Sequence, residues 1–411
     1  MCLTNALPQI RRRRYLANRY EVRFSLPFQF LPIKTQKSMT NFLQATEKII
    51  TDTVAENAAE TDKSGIFPQP AIDAMREAGL LGLISAPSIG GLGQDIRAGA
   101  MIVEKLAQEC ASTAMIVCMH YCACAVIEKY GPLEVRKQLA QGKHLATLAF
   151  SESSSRSHFW SPTGTATRDA NSIRLNAKKS WVTSASHATL YVWTSKPVAA
   201  TGASTLWLVP RSIDGISIQG NFDGIGLRGN DSIPVTATDV SIPEHAMLGE
   251  DGAGLTIILE TVLPVFSALS AATGIGLMEG ATAATCKHVM DTRHDHLNTA
   301  LCDLPTIRAY LARMRIMTDQ SRCLWLDTLQ ALVEDRSDAM LRVLECKASS
   351  GESATQVLDL AMRICGGAAF RREVGVERRF RDARAGTVMA PTTDQLYDFI
   401  GKAICRMPVF E

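Results

Sequence analysis

Residues 172–183 read SIRLNAKKSWVT, a short segment rich in β-branched and aromatic residues that has the composition of a strand. Similar segments follow: LYVWTS at 190–195, STLWLVP at 204–210, ISIQ at 216–219 and VTATDVSIP at 235–243. Turn residues separate them, so 145–250 reads as a small antiparallel sandwich or barrel. Working outward, the pattern on both sides is helical. Upstream, Pro68 opens an apolar-periodic run through Ile72, Met75, Leu80 and Leu81, and Ala98 to Tyr130 forms one long, mostly apolar stretch. Between them APSIGGLGQ at 86–94 is a turn region. Downstream, Asp303-Leu304-Pro305 opens a helix whose face carries Ile307, Leu311, Met314 and Met317. A further helix over Ser353 to Cys365 is stopped by Gly366-Gly367. The fold class is therefore α+β, with a basic tail or upstream start over 1–38, a helical unit over 39–144, a β unit over 145–250 and a helical bundle over 251–411. A β module between two helical halves leaves a cleft where the three meet, a natural cofactor site.

The composition narrows the function classes. A chain of 411 residues that is 46% hydrophobic and 20% charged can bury a large core. Its net charge of +2 gives no argument for a nucleic-acid partner. No run of about 18 uninterrupted apolar residues is present, so no membrane span is expected. Cys118, Cys122 and Cys124 cluster among the 11 cysteines, but no second Cys/His group has zinc spacing. Small buried thiols in a reducing, cytoplasmic setting are expected, and no metal. The first 38 residues carry Arg11 to Arg14 and a single acid, Glu21. They read as a disordered tail or as sequence upstream of a start at Met39, with a transit segment as the alternative.

Five segments, in order, resemble motifs of the acyl-CoA dehydrogenase superfamily: LAFSESSSRS at 148–157, KKSWVTSA at 178–185, GLRGNDSIPVTATDVSIPEHAMLGEDGAGL at 226–255, CGGAAF at 365–370 and FRDARAGTVMAPTTD at 380–394. The match runs from Asn41 to about Met407. It implies an N-terminal helical domain, a middle β domain, a C-terminal four-helix bundle and bound FAD. By resemblance, Phe150, Ser151, Trp181 and Thr183 surround the flavin ring, with Trp181 as its flat wall and Thr183 as a hydroxyl partner. A plain sheet-core aromatic is the structural alternative for Trp181. Ser157 falls near the flavin and the thioester end of the substrate. Arg293, Arg363, Gly366, Gly367, Thr392 and Asp394 fall at the dinucleotide end, which the family completes across a subunit interface. A homotetramer, or at least a homodimer, is implied.

The chain departs from the family where the chemistry is done. Removing the α proton of an acyl thioester needs a base, commonly a Glu two residues before the Thr of Glu-Gly-Thr. Here Ala390 stands there, before Pro391-Thr392. In other members the Glu opens a C-terminal helix; alignment of FSALSAATGIGLM puts Phe266 at that position and Ser267 where Arg is usual. Only a slip of several residues would bring in Glu260. The acidic loop has become Ser151-Glu152-Ser153-Ser154-Ser155-Arg156, His158 follows Ser157, and Arg293 is followed by His294, Asp295 and His296.

A dehydrogenase without its base loses orders of magnitude in rate. Relatives lacking the Glu can instead combine reduced flavin with oxygen, which favours a dry pocket. The expectation is an oxygen-using mono- or dioxygenase or oxidase acting on an acyl-CoA or acyl-carrier thioester. Ser157, Phe266, Ser267 and Ala390 line its substrate pocket, whose shape points to a cyclic or branched acyl group of secondary metabolism. The first alternative is a dehydrogenase with a relocated base, the candidates being His158, His120, Glu152 and Asp394. Each has a structural reading: backbone or FAD partners for the two acids, a surface loop for His158 and a satisfied core residue for His120. The second alternative is a flavin-binding scaffold without catalysis.

Overall fold

The computed structural model describes residues 36–410, except Arg156, Ser157, Phe159 and Leu297. The basic stretch 11–14 and the site candidate Ser157 thus lie outside the described residues. Helix α1 (Gln36–Ile49) begins ahead of Met39 and is followed by α2 (Ala55–Ser64) and α3 (Gln69–Glu77), the latter immediately after Pro68. The run 98–130, expected as one stretch, is two helices, α4 (Ile96–Glu109) and α5 (Ala111–Tyr130). Cys110, with φ −141° and ψ 101°, is extended and breaks them. Asp95 caps α4 by accepting from the Arg97 amide. A short helix α6 (Leu133–Ala140) closes this part.

Eight strands follow: β1 (Ala146–Ala149), β2 (Thr165–Asp169), β3 (Ser172–Val182), β4 (Leu190–Ser195), β5 (Thr205–Pro210), β6 (Ile216–Ile218), β7 (Ile233–Pro243) and β8 (Met247–Leu248). They form two four-stranded sheets, β1-β4-β5-β8 and β2-β3-β7-β6. The expected wholly antiparallel pattern is broken once, because β1 and β4 pair in parallel. The sheets share one core, with Ile173, Leu175 and Val235 from one meeting Tyr191, Trp193 and Trp207 from the other. The opposite face of the first sheet, Leu190, Val192, Leu206 and Leu208, joins the core of the helices. LYVWTS is therefore buried on both faces, which is why it reads as a nearly unbroken apolar run.

The chain returns to helix with α7 (Gly254–Ile257) and, through a π-helical turn, α8 (Leu263–Asp291). A small hairpin, β9 (Arg293–His294) with β10 (Thr299–Ala300), leads to α9 (Pro305–Val333), α10 (Ala339–Cys365), α11 (Val376–Ala383), α12 (Ala385–Val388) and α13 (Thr393–Ile404). The helix expected over Ser353 to Cys365 is the second half of α10, which packs on α8, α9, α11 and α13. Gly366, at φ 55°, ends it.

Two helical segments, Ala111–Tyr130 and Gly254–Asp291, are long and apolar enough to cross a membrane by length and composition, although neither is an unbroken apolar run. In this fold they are core helices, with 83% and 61% of their most apolar windows buried. Small residues let α8 pack closely on α4: a Cβ on Gly276 would meet the Glu104 carbonyl oxygen at 2.2 Å, and one on Gly280 the Gln108 carbonyl oxygen at 2.2 Å. All ten described cysteines are free, and Cys118, Cys122 and Cys124 are buried on α5.

Candidate functional site

The loop after β1 is anchored from beneath by a buried ion pair. Lys179 on β3 donates to Glu152 Oε1 at 2.7 Å, the Thr194 carbonyl at 2.7 Å and Thr194 Oγ1 at 2.8 Å. The other Glu152 oxygen accepts from the Thr163 amide at 2.7 Å and the Gly164 amide at 3.1 Å. The Thr163 hydroxyl donates to the same oxygen. Burial opposes the charge on Glu152, but Lys179 and the Thr163 donors hold its carboxyl below the usual range. Burial pulls Lys179 down to about 8 against the attraction of Glu152. Glu152 is thus saturated and excluded as a relocated base. Ser151, half-buried, accepts from the Ser180 amide at 2.8 Å through its carbonyl. Phe150, expected at the ring, turns its side chain into the helical core.

Trp181 stands out by its exposure. It is 70% exposed, where a sheet-core aromatic would be covered, so the structural alternative for it does not hold. A register shift between Lys179 and Val182 lifts it off the sheet, and its φ of 55° presents it outward. Phe222 meets it edge-on, with ring centres 6.4 Å apart. Two residues on, Thr183 is buried, and its Oγ1 lies 3.1 Å from Ser232 Oγ. An exposed indole beside a hydroxyl pair suits a flat ligand with polar edges.

Phe266 and the residues flanking Ala390 share one neighbour, Lys347. Lys347, on α10, donates to the carbonyls of Met389 at 3.0 Å and Pro391 at 2.8 Å, the residues flanking Ala390. The same Nζ lies 5.7 Å from the ring centre of Phe266. Burial lowers Lys347 to about 7. Phe266 and Ala390 are half-buried, while Ser267 is fully buried and its Oγ has no partner among the described residues. Next to them is a small cavity of about 20 Å³, room for one water, walled by Met115, Ser270, Lys347, Ser350, Asp382 and Met389 among others. Burial pushes Asp382 up to about 6; it accepts from the Leu227 amide at 2.6 Å.

The remaining base candidates are placed elsewhere or already engaged. His120 is buried, with Nε2 2.9 Å from the Leu81 carbonyl and Nδ1 accepting from the Ala146 amide at 3.1 Å. Burial lowers it to about 4, so it is a satisfied core residue. His158 is exposed and packs edge-on against Trp160. Asp394 is exposed in the first turn of α13, and Glu260 is exposed and faces Lys129 at 3.8 Å. Sequence reading missed Lys347 and Asp382. The signal for Lys347 was its phase: it falls on the buried face of α10 with Val343, Ser350, Gly351 and Ala354.

At the expected dinucleotide end, Gly366 and Gly367 are exposed, and a Cβ on either would meet nothing within 4 Å among the described residues. Thr392 caps α13, its Oγ1 accepting from the Gln395 amide at 3.4 Å. Arg363 is exposed, donates to Tyr310 Oη at 3.3 Å and lies over that ring. Arg293 is exposed on β9, where its backbone pairs with Ala300.

The chain as a whole resembles known proteins. Three family models match in succession: acyl-CoA dehydrogenase, N-terminal domain, over 37–142; middle domain, over 147–240; and C-terminal domain, over 252–405. The human mitochondrial short-chain specific acyl-CoA dehydrogenase is 28% identical over 347 residues, covering 82% of each chain. Cyclohex-1-ene-1-carbonyl-CoA dehydrogenase of Geobacter metallireducens is 24% identical over 370 residues, covering 88% of this chain and 96% of that one. Among solved structures, butyryl-CoA dehydrogenase from Megasphaera elsdenii has a TM-score of 0.85 at 22% identity, covering 92% of this chain and 100% of that one. PigA with FAD and proline has a TM-score of 0.81 at 18% identity, covering 91% and 99%.

Proposed function

Because this chain belongs to the acyl-CoA dehydrogenase family, we propose that it is an FAD-dependent oxidoreductase acting on an acyl thioester, and that it uses oxygen rather than forming an α,β double bond. The observation that carries the second half is the pair Ala390 and Phe266: neither can take a proton, and Glu152, His120, His158, Asp394 and Glu260 are each engaged or placed elsewhere. The residues present fit the cofactor. Trp181 would back its ring, Thr183 and Ser232 would meet the ring's polar edge, and Thr392, Gly366 and Arg293 would serve the phosphate end. When bound, FAD supplies two-electron redox chemistry. Phe266 and Ala390 would keep water from the reacting face. The exposed Arg293 and the open Gly366-Gly367 pair would be completed by a second subunit. A cyclic or branched acyl group fits Ser267 in place of Arg and Ala390 in place of Glu, and the Geobacter relative is named for a cyclic substrate. CoA and a carrier-protein arm present the same thioester.

One observation favours a second reading. Asp382 is the carboxyl among the residues walling the small cavity, and a dehydrogenase would have to use it. Labelled oxygen separates the two. The flavin-loaded protein is photoreduced, mixed with a panel of acyl-CoA and acyl-pantetheine thioesters, and exposed to ¹⁸O₂. Label in the product is expected. Anaerobic bleaching of the oxidised flavin by a thioester, with an enoyl product and no label, would overturn the oxygen reading.

A further inference from the structure

We propose that Lys347 is a positioning residue, whose buried amine latches the loop Met389–Pro391 against Phe266 and releases it on gaining a proton. The geometry is specific to the loop that holds Ala390. Two acceptors, the Met389 and Pro391 carbonyls at 3.0 and 2.8 Å, match the two N–H bonds of a neutral amine. The third N–H of an ammonium would face only the ring of Phe266, whose centre is 5.7 Å away. Lys347 is 1% exposed, so the charged form lies in a site with little to solvate it. Of the neighbouring elements, α5 presents Cys118, whose Coulombic influence favours the ammonium. α11 presents Asp382 across the cavity; α8 presents Phe266 and Ser270, and the loop presents carbonyls.

The sign follows from linkage. Closed, the lysine is depressed to about 7 from 10.5; open to water, it returns towards 10.5. The open state then binds more protons between those values, so the loop closes more firmly as pH rises above about 7. The proposal rests on the site lying between Phe266 and Ala390, and not on whether oxygen is used.

The test is amide hydrogen exchange, by mass spectrometry, of peptides covering 386–395 in the purified full-length protein, corrected for intrinsic rates. No substrate or turnover is needed, so a failed oxygen assay leaves this result intact. Wild type is expected to open roughly tenfold less at pH 8 than at pH 6, from a tenfold limit per pH unit above the closed-state value. Lys347→Met, which cannot titrate, and Lys347→Arg, which stays charged, should both lose that dependence, with peptides of β3 as an internal reference. Asp382→Asn should keep it, because Asp382 titrates with the opposite sign. A flat wild-type profile, or an unchanged slope in Lys347→Arg, would overturn the proposal; if Lys347→Met loses the β3 reference, Lys347→Arg decides.

Discussion

Lys179→Met is expected to be far more damaging than Glu152→Gln, although the two side chains form one ion pair. Both are essentially without exposure, 0% and 1%. Removing the lysine leaves the Glu152 carboxylate bonded to Thr163 and Gly164 but without a cation in a dry interior. Such a stranded charge costs about 3–5 kcal/mol. Removing the acid strands nothing comparable, because Lys179 is already drawn down to about 8 and sheds its proton. At neutral pH that takes about one unit, or about 1.4 kcal/mol, so Glu152→Gln should cost about 1–2 kcal/mol. Urea unfolding followed by tryptophan fluorescence measures both, with slopes compared to confirm that the same surface is exposed. Nearly equal losses, or a loss under about 1 kcal/mol for Lys179→Met, would refute a buried charged pair beneath the Ser151–Ser155 loop.

Three further outcomes are expected. Trp181→Ala should leave the unfolding midpoint almost unchanged, since the side chain is 70% exposed, yet weaken FAD retention by about 1–2 kcal/mol, roughly 5–30-fold, read by fluorescence titration of the flavin-stripped protein. Ala390→Glu should restore a proton acceptor and speed anaerobic flavin bleaching by a short-chain acyl-CoA by about 10²-fold or more; equal rates in wild type and variant would contradict the missing-base account. Asp382 is raised from 3.8 to about 6 in the folded state, so the folded state holds more protons between those values and stability falls as pH rises through them. Chemical unfolding at pH 4 and pH 7 should show this penalty, up to about 3 kcal/mol, in wild type and lose it in Asp382→Asn.

The motifs were legible because each rests on local chemistry. Trp181 in KKSWVTSA, the Gly366-Gly367 stop and the helix opening at Pro305 are written in consecutive residues, and the structure places them at a strand end, a helix end and a helix start. That Ala390 and Phe266 are not carboxylates was legible for the same reason, since both are identities at positions matched by resemblance. The break at Cys110 was not, because no Pro or Gly marks it and α4 and α5 are both apolar.

Side-chain company is where sequence reading stopped. Glu152 and Lys179 are 27 residues apart, and Lys347 lies 81 residues after Phe266 and 42 before Met389. No local pattern joins such pairs; the sheet register and the packing of α8 against α10 do. The sequence by itself determined the family, the three-part order and the apolar identities of Phe266 and Ala390, because these depend on residue identity and spacing. Tertiary structure alone decided that Glu152 is neutralised, that His120 is a core residue and that the two emptied positions meet at one buried lysine. A charge's role is set by what surrounds it once water has been excluded.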